Sequence, residues 1–173
     1  MKEVLMIIAE DNFQDIEFSE TRKAILNNGF NVKIASKSKG IKKGVLGLEI
    51  NAELSFDEID ENKFDAIVFI GGPGAARYIK DEKAWKLARK FFEANKIVAA
   101  ICIAPLILAY SGILKGKKAT VWDDGKQTQI KELQSKKALF QNEKVLIDGK
   151  IITANGPPAA KKFGENIALL LKS

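Results

Sequence analysis

A chain of 173 residues, 46% hydrophobic and 29% charged, is long enough for one domain with a sizeable core and too apolar for disorder. It holds one cysteine and no histidine, which excludes an internal disulfide, zinc centres built on cysteine clusters or histidine, Ser-His-Asp and Cys-His catalysis, and histidine pH switching. The net charge of +6 comes mostly from lysines scattered in mixed-sign runs such as "KDEKAWKLARK", which reads as a solvated surface and not as a nucleic-acid face.

In chain order, "EVLMIIA" (3–9) is a continuous apolar run, predicted as a strand buried on both faces. "DIEFSETRKAILNNGF" (15–30) places Phe18, Arg22, Ile25 and Leu26 at helical spacing and stops at "NNG". "NVKIAS" (31–36) is a strand, and 37–56 a small irregular β excursion. "FDEIDENK" (56–63) is a short helix or turn. "FDAIVFIGG" (64–72) is the clearest strand and ends on two glycines. Residues 77–96 form an amphipathic helix, "IVAAI" (97–101) a strand, and 104–114 a helix stopped near Gly112. "KATVW" (118–122) is a strand and 125–138 a polar helix. "EKVLIDGKIITAN" (143–155) is a hairpin turning at Asp148-Gly149. Residues 157–173 are the last helix, with proline in its first turn.

This alternation predicts a three-layer α/β/α sandwich with a doubly wound, mostly parallel sheet containing 3–9, 31–36, 65–70, 97–101 and 118–121. There is no repeat or linker, so 1–173 is read as a single domain. The longest apolar stretch is broken by Pro105, and "MKEVLMIIAE" is too short for a signal peptide. A cytoplasmic protein is expected, with neither membrane nor nucleic acid as partner.

Ligands of such sheets gather beyond the carboxyl ends of the strands. Three segments reach that edge: "AEDNFQDIE", "IGGPGAA" and "ICIAP". Cys102 lies where a strand must turn into a helix, and Ala100-Ile101-Cys102-Ile103-Ala104 has the small-x-nucleophile-x-small layout of a nucleophile elbow. The following helix start would favour thiolate. The competing reading is a small apolar residue packed in the core. Glu17 could face the same edge and bond or protonate the sulfur, or merely favour its helix terminus. Gly71 and Gly72 in "GGPG" would let a backbone N–H approach a ligand, or simply make a tight turn. The glycines match neither a dinucleotide fingerprint nor a P-loop, and no cofactor or metal is expected.

On these residues the chain resembles the ThiJ/PfpI superfamily, which includes PfpI-type intracellular proteases and protein deglycases. The resemblance runs through Glu17 in "FQDIE", "FDAIVFIGGPGA", "AAICIAP", "LILAYSGILKGKKAT" and "LIDGKIITANGP", and covers nearly the whole chain. It implies a flavodoxin-like, class I glutamine amidotransferase-like fold and a homodimer or larger assembly. It also implies Cys102 on the elbow, Glu17 against its sulfur, and the N–H groups of Gly72 and Ile103 as an oxyanion site. Gly71, Trp122 and Asn155 would belong to the pocket. Ile103 stands where PfpI-type proteases have histidine, Trp122 where the deglycase-like branch has one, and Asn155 where the family often has arginine.

The leading expectation is therefore a cysteine-dependent enzyme acting on small reactive carbonyls or on protein side chains modified by them, with Glu17 as acid and base. An alternative is a redox-sensing stress protein or chaperone working through oxidation of a low-pKa Cys102. The peptidase of the family name ranks third, because no histidine is present to protonate a leaving amine.

Overall fold

In the computed structural model, which describes residues 1–173, the longest apolar runs become the middle of one seven-stranded sheet. β1 (Glu3–Ile7) pairs in parallel with β2 (Asn31–Ser36) on one side and with β6 (Ala66–Phe69) on the other. β6 pairs in parallel with β7 (Ile97–Ile101), and β7 with β11 (Ile151–Ala154). The side chains of β6 and β7 are all buried, as are those of β1 beyond Glu3. Helices cover both faces, so the apolar pattern is continuous instead of alternating. A short parallel strand, β5 (Leu54–Ser55), closes one edge against β2, and the antiparallel β10 (Val145–Asp148) closes the other against β11. The β10–β11 turn is Gly149-Lys150, one residue beyond the predicted Asp148-Gly149, because Asp148 still pairs with Ile151; Gly149 takes the turn at φ 62°.

Two groups of helices flank the sheet. α1 (Asp15–Asn27) packs on α5 (Ala160–Lys172), while α2 (Glu82–Glu93) packs on α3 (Pro105–Ser111), with α4 (Thr128–Ser135) beside α3. From β1 the chain steps to β2 on one side and later returns to β6 on the other. That reversal opens a crevice beyond the carboxyl ends of the strands. The result is the mostly parallel, flavodoxin-like α/β architecture expected. No helix is long and apolar enough to cross a membrane.

Three elements differ from expectation. The helix expected over 77–96 is split: Pro73–Tyr78 form a 3₁₀ turn, and α2 begins only after Asp81. The Asp81 carboxylate accepts the Lys83 N–H at 2.9 Å, so it caps a new helix instead of sitting within a longer one. The excursion over 37–56 contains a separate antiparallel pair, β3 (Gly40–Lys43) and β4 (Glu49–Ala52). Residues 118–121 do not join the main sheet. β8 (Lys118–Ala119) pairs in parallel only with β9 (Leu139–Phe140). Both edges of β11 are already occupied, by β7 and by its own hairpin partner β10.

Candidate active site

Cys102 follows the last residue of β7 and has φ 66°, a left-handed conformation that costs a non-glycine residue about 1–3 kcal/mol. The surroundings impose it. The Cys102 N–H donates to the Ala154 carbonyl and the Cys102 carbonyl accepts from the Trp122 N–H, both at 2.9 Å. Ala100 and Ala104 are fully buried beside the turn, which explains the small flanking residues. The sharp turn at Cys102 is therefore tied down between β11 and the segment after β8.

Glu17 lies in the first turn of α1 and is wholly inaccessible to solvent. Its Oε1 accepts the Gly71 N–H at 3.0 Å. Oε2 is buried without a partner in full hydrogen-bond geometry, and the carboxyl group faces the Cys102 thiol. Gly71 permits this convergence. A Cβ there would lie 2.5 Å from the Cys102 Cβ and 2.7 Å from Glu17 Oε1. Gly72 is required twice over, by φ 108° and because a Cβ would meet the Gln14 nitrogen at 2.5 Å. The N–H groups of Gly72 and Ile103 both address the sulfur.

Burial raises the Glu17 carboxyl to about 7, against the lowering effect of the thiol and of the Gly71 N–H. The Cys102 thiol is pushed up to about 12, first by burial, then by the charge and hydrogen bonding of Glu17. The Gly72 and Ile103 amides oppose that rise. This overturns the expectation of a thiolate favoured by the next helix. That helix, α3, does not begin until Pro105, and burial together with the nearby carboxylate outweighs it. The pair is best described as sharing one proton. When Glu17 holds it, the repulsion on sulfur disappears and the two amides partly offset the burial that still disfavours thiolate.

The sulfur opens onto a cavity of about 390 Å³ whose wall includes Gly72, Pro73, Cys102, Ile103, Trp122 and Pro157. Trp122, 40% exposed, forms part of the rim. Gly71 lies behind the cysteine and does not line the cavity, and neither does Asn155, whose N–H donates to Lys144. Sequence reasoning missed Gln14, which also lines it. The available signal was spacing, since Gln14 stands three residues before Glu17 at a helix start, the N-cap position. Pro73 and Pro157 were missed as well, and only tertiary folding brings those two turns together. No group of three or more Cys, Asp or Glu side chains converges to hold a metal.

The DJ-1/PfpI family profile matches residues 2–169. The chain is 39% identical over 162 residues to an uncharacterized protein of Methanocaldococcus jannaschii, covering 93% of this chain and 78% of that one. It is 31% identical over 168 residues to the deglycase PfpI of Pyrococcus furiosus, covering 97% and 99%. A crystal structure of a ThiJ/PfpI domain protein from Brachyspira murdochii superposes with a TM-score of 0.94 at 32% identity, covering 98% of this chain and 96% of that one.

Proposed function

Because the chain belongs to the DJ-1/PfpI family, we propose that it is a cysteine-dependent enzyme acting on small reactive carbonyls, such as methylglyoxal, or on their early adducts with protein amines. The observation that carries this reading is a cysteine opening on a cavity, with two main-chain N–H groups addressing its sulfur and a buried carboxyl group raised to about 7 directly behind it. The deglycase name of the Pyrococcus relative fits the same class of chemistry.

Each group has a step. Glu17 takes the thiol proton as sulfur bonds to the aldehyde carbon. The carbonyl π pair moves to oxygen, where the Gly72 and Ile103 N–H groups stabilise the developing charge. Glu17 returns the proton to that oxygen, giving a neutral hemithioacetal. The carboxylate then removes the hydrogen on the same carbon as a proton. An enediol forms with the neighbouring carbonyl, and reprotonation at that neighbouring carbon leaves a 2-hydroxy thioester. Water cleaves the C–S bond, releasing lactic acid and restoring the thiol. Methylglyoxal plus water equals lactic acid, so no outside oxidant or reductant is needed. An amine adduct enters the same sequence once its C–N bond breaks and the amine leaves protonated. A carboxyl group poised near neutrality suits both halves of such a proton shuttle.

The test is lactate formation from methylglyoxal by wild type, Cys102→Ser and Glu17→Gln. Both variants are expected to lose about a hundredfold or more in rate, because attack and proton transfer are serial. Wild-type turnover no faster than that of Cys102→Ser would overturn the reading.

A further inference from the structure

Gln14 holds a place in the site that the proton shuttle does not use. It is the N-cap of α1: its Oε1 accepts the Glu17 N–H at 2.8 Å, and its main-chain N–H donates to the Gly71 carbonyl at 2.9 Å. The first of these bonds fixes the side-chain amide end for end. The oxygen is turned to the helix, and the NH₂ group has no hydrogen-bond partner within the protein. Nor is it a buried orphan. The half-buried side chain lines the same cavity as Cys102, leaving two unpaired donors on a residue at the wall of the space a substrate would fill.

The rest of the wall narrows what those donors meet. No lysine or arginine lines the cavity, and the Glu17–Cys102 pair already contributes negative charge. A carboxylate or phosphate would enter without a counter-charge and against that field. A neutral carbonyl oxygen needs only a donor, and Gln14 offers one without adding charge beside the thiol. Resting on the carbonyl reading above, we infer that Gln14 is a specificity-determining residue whose NH₂ group binds the carbonyl oxygen next to the carbon that Cys102 attacks. The cavity thereby selects neutral 1,2-dicarbonyls over simple aldehydes. Because this contact exists in both the bound substrate and the transition state, it acts chiefly on KM.

Two measurements test the inference. The first needs no turnover. Cys102 is the only cysteine, so its alkylation is unambiguous. Iodoacetamide has a carbonyl beside the attacked carbon, whereas allyl bromide has none. The ratio of the two rates cancels the thiolate fraction common to both. Relative to free cysteine, wild type is expected to prefer iodoacetamide by about fivefold to tenfold, the worth of one hydrogen bond. Gln14→Glu keeps the capping oxygen but loses the donors, and Gln14→Met loses both without adding charge. Both variants should return the ratio to that of free cysteine. The second measurement is methylglyoxal kinetics. Gln14→Glu and Gln14→Met should each raise KM about tenfold, because both lose the donors, whatever change in kcat follows from the charge that Gln14→Glu adds. A residue that merely positioned Glu17 would instead lower kcat in Gln14→Met and leave Gln14→Glu unaffected. An alkylation preference that is absent in wild type, or that survives in both variants, overturns the role of Gln14. Failure of wild type to form lactate overturns the carbonyl reading separately.

Discussion

Cys102 and Glu17 are two acids in a space that tolerates one negative charge. The coupling is readable in stability as well as in catalysis. Glu17 is raised to about 7 in the folded protein from 4.5. Its neutral form is therefore the one the fold accommodates. Below pH 4.5 both folded and unfolded chains hold this proton, and Glu17 makes no penalty. As pH rises toward 7 the unfolded chain releases the proton first, and stability falls until the folded carboxyl ionises too. The full loss is about 3 kcal/mol. Glu17→Gln cannot ionise, and its side-chain oxygen can still accept from Gly71. Denaturant melts should show the variant equal to wild type near pH 4 and more stable by up to that amount at pH 8. Equal stabilities across the range would mean that Glu17 is not held neutral. Gly72→Ala should be damaging at any pH, because it adds a Cβ at φ 108° and 2.5 Å from the Gln14 nitrogen. A loss of about 2 kcal/mol or more by the same melts is expected, together with loss of lactate formation.

At the scale of elements, β1, β6 and β7 were legible because a strand covered on both faces must be apolar throughout. The cysteine, the carboxyl and the paired glycines were legible for a related reason. Cys102 and the glycines follow β7 and β6 closely, and Glu17 stands in the first turn of the helix after β1, so strand order brings them to one edge. Residues 118–121 show where such reasoning stops. "KATVW" has the composition of a sheet strand, but composition does not say which edges remain free. The local hairpin of β10 and β11 fills the place. The displaced segment is held by other means: its Thr120 N–H donates to Thr153 Oγ1 at 3.0 Å, and the Trp122 N–H donates to the Cys102 carbonyl. Thr120 and Thr153 are both buried. Thr153→Val keeps the shape and strands the Thr120 N–H, costing about 1–3 kcal/mol. It should also loosen Trp122 above the thiol. In a Trp85→Phe background, Trp122 emission should shift to the red and become easier to quench with iodide. An unchanged spectrum would mean that the Cys102 carbonyl alone fixes the rim.

Across the whole molecule, the sequence pattern accounts for the layers and the strand alternation, and less well for the surface. Polar and apolar residues alternate in the β3–β4 region, but the sequence did not show which set points outward. Lys42 is the buried one, its Nζ 2.6 Å from Glu10 Oε2, while its neighbour Ile41 is 63% exposed. Val45 and Leu46 at the turn are 47% and 66% exposed, and Ile16 at the start of α1 is 44% exposed. These side chains belong to one region, because the Asp15 carboxylate accepts the N–H groups of Leu46 and Leu48, each at 2.8 Å. The Asn12 N–H also ties this hairpin to the loop that leads to Gln14, bonding the Lys43 carbonyl at 2.8 Å. An apolar cluster exposed to solvent is the kind of surface that association covers. The family resemblance implies a homodimer, and a second copy burying this region is the arrangement expected. Light scattering should then give twice the 19.1 kDa chain mass at about 100 μM protein, where even a micromolar dimer is nearly complete. Leu46→Glu puts a charge on the most exposed of these side chains while leaving the Leu46 main-chain bond to Asp15 intact. It should yield a monomer with an unchanged melting profile per chain. A wild-type monomer at that concentration, or a dimer that tolerates Leu46→Glu, would place self-association elsewhere or remove it.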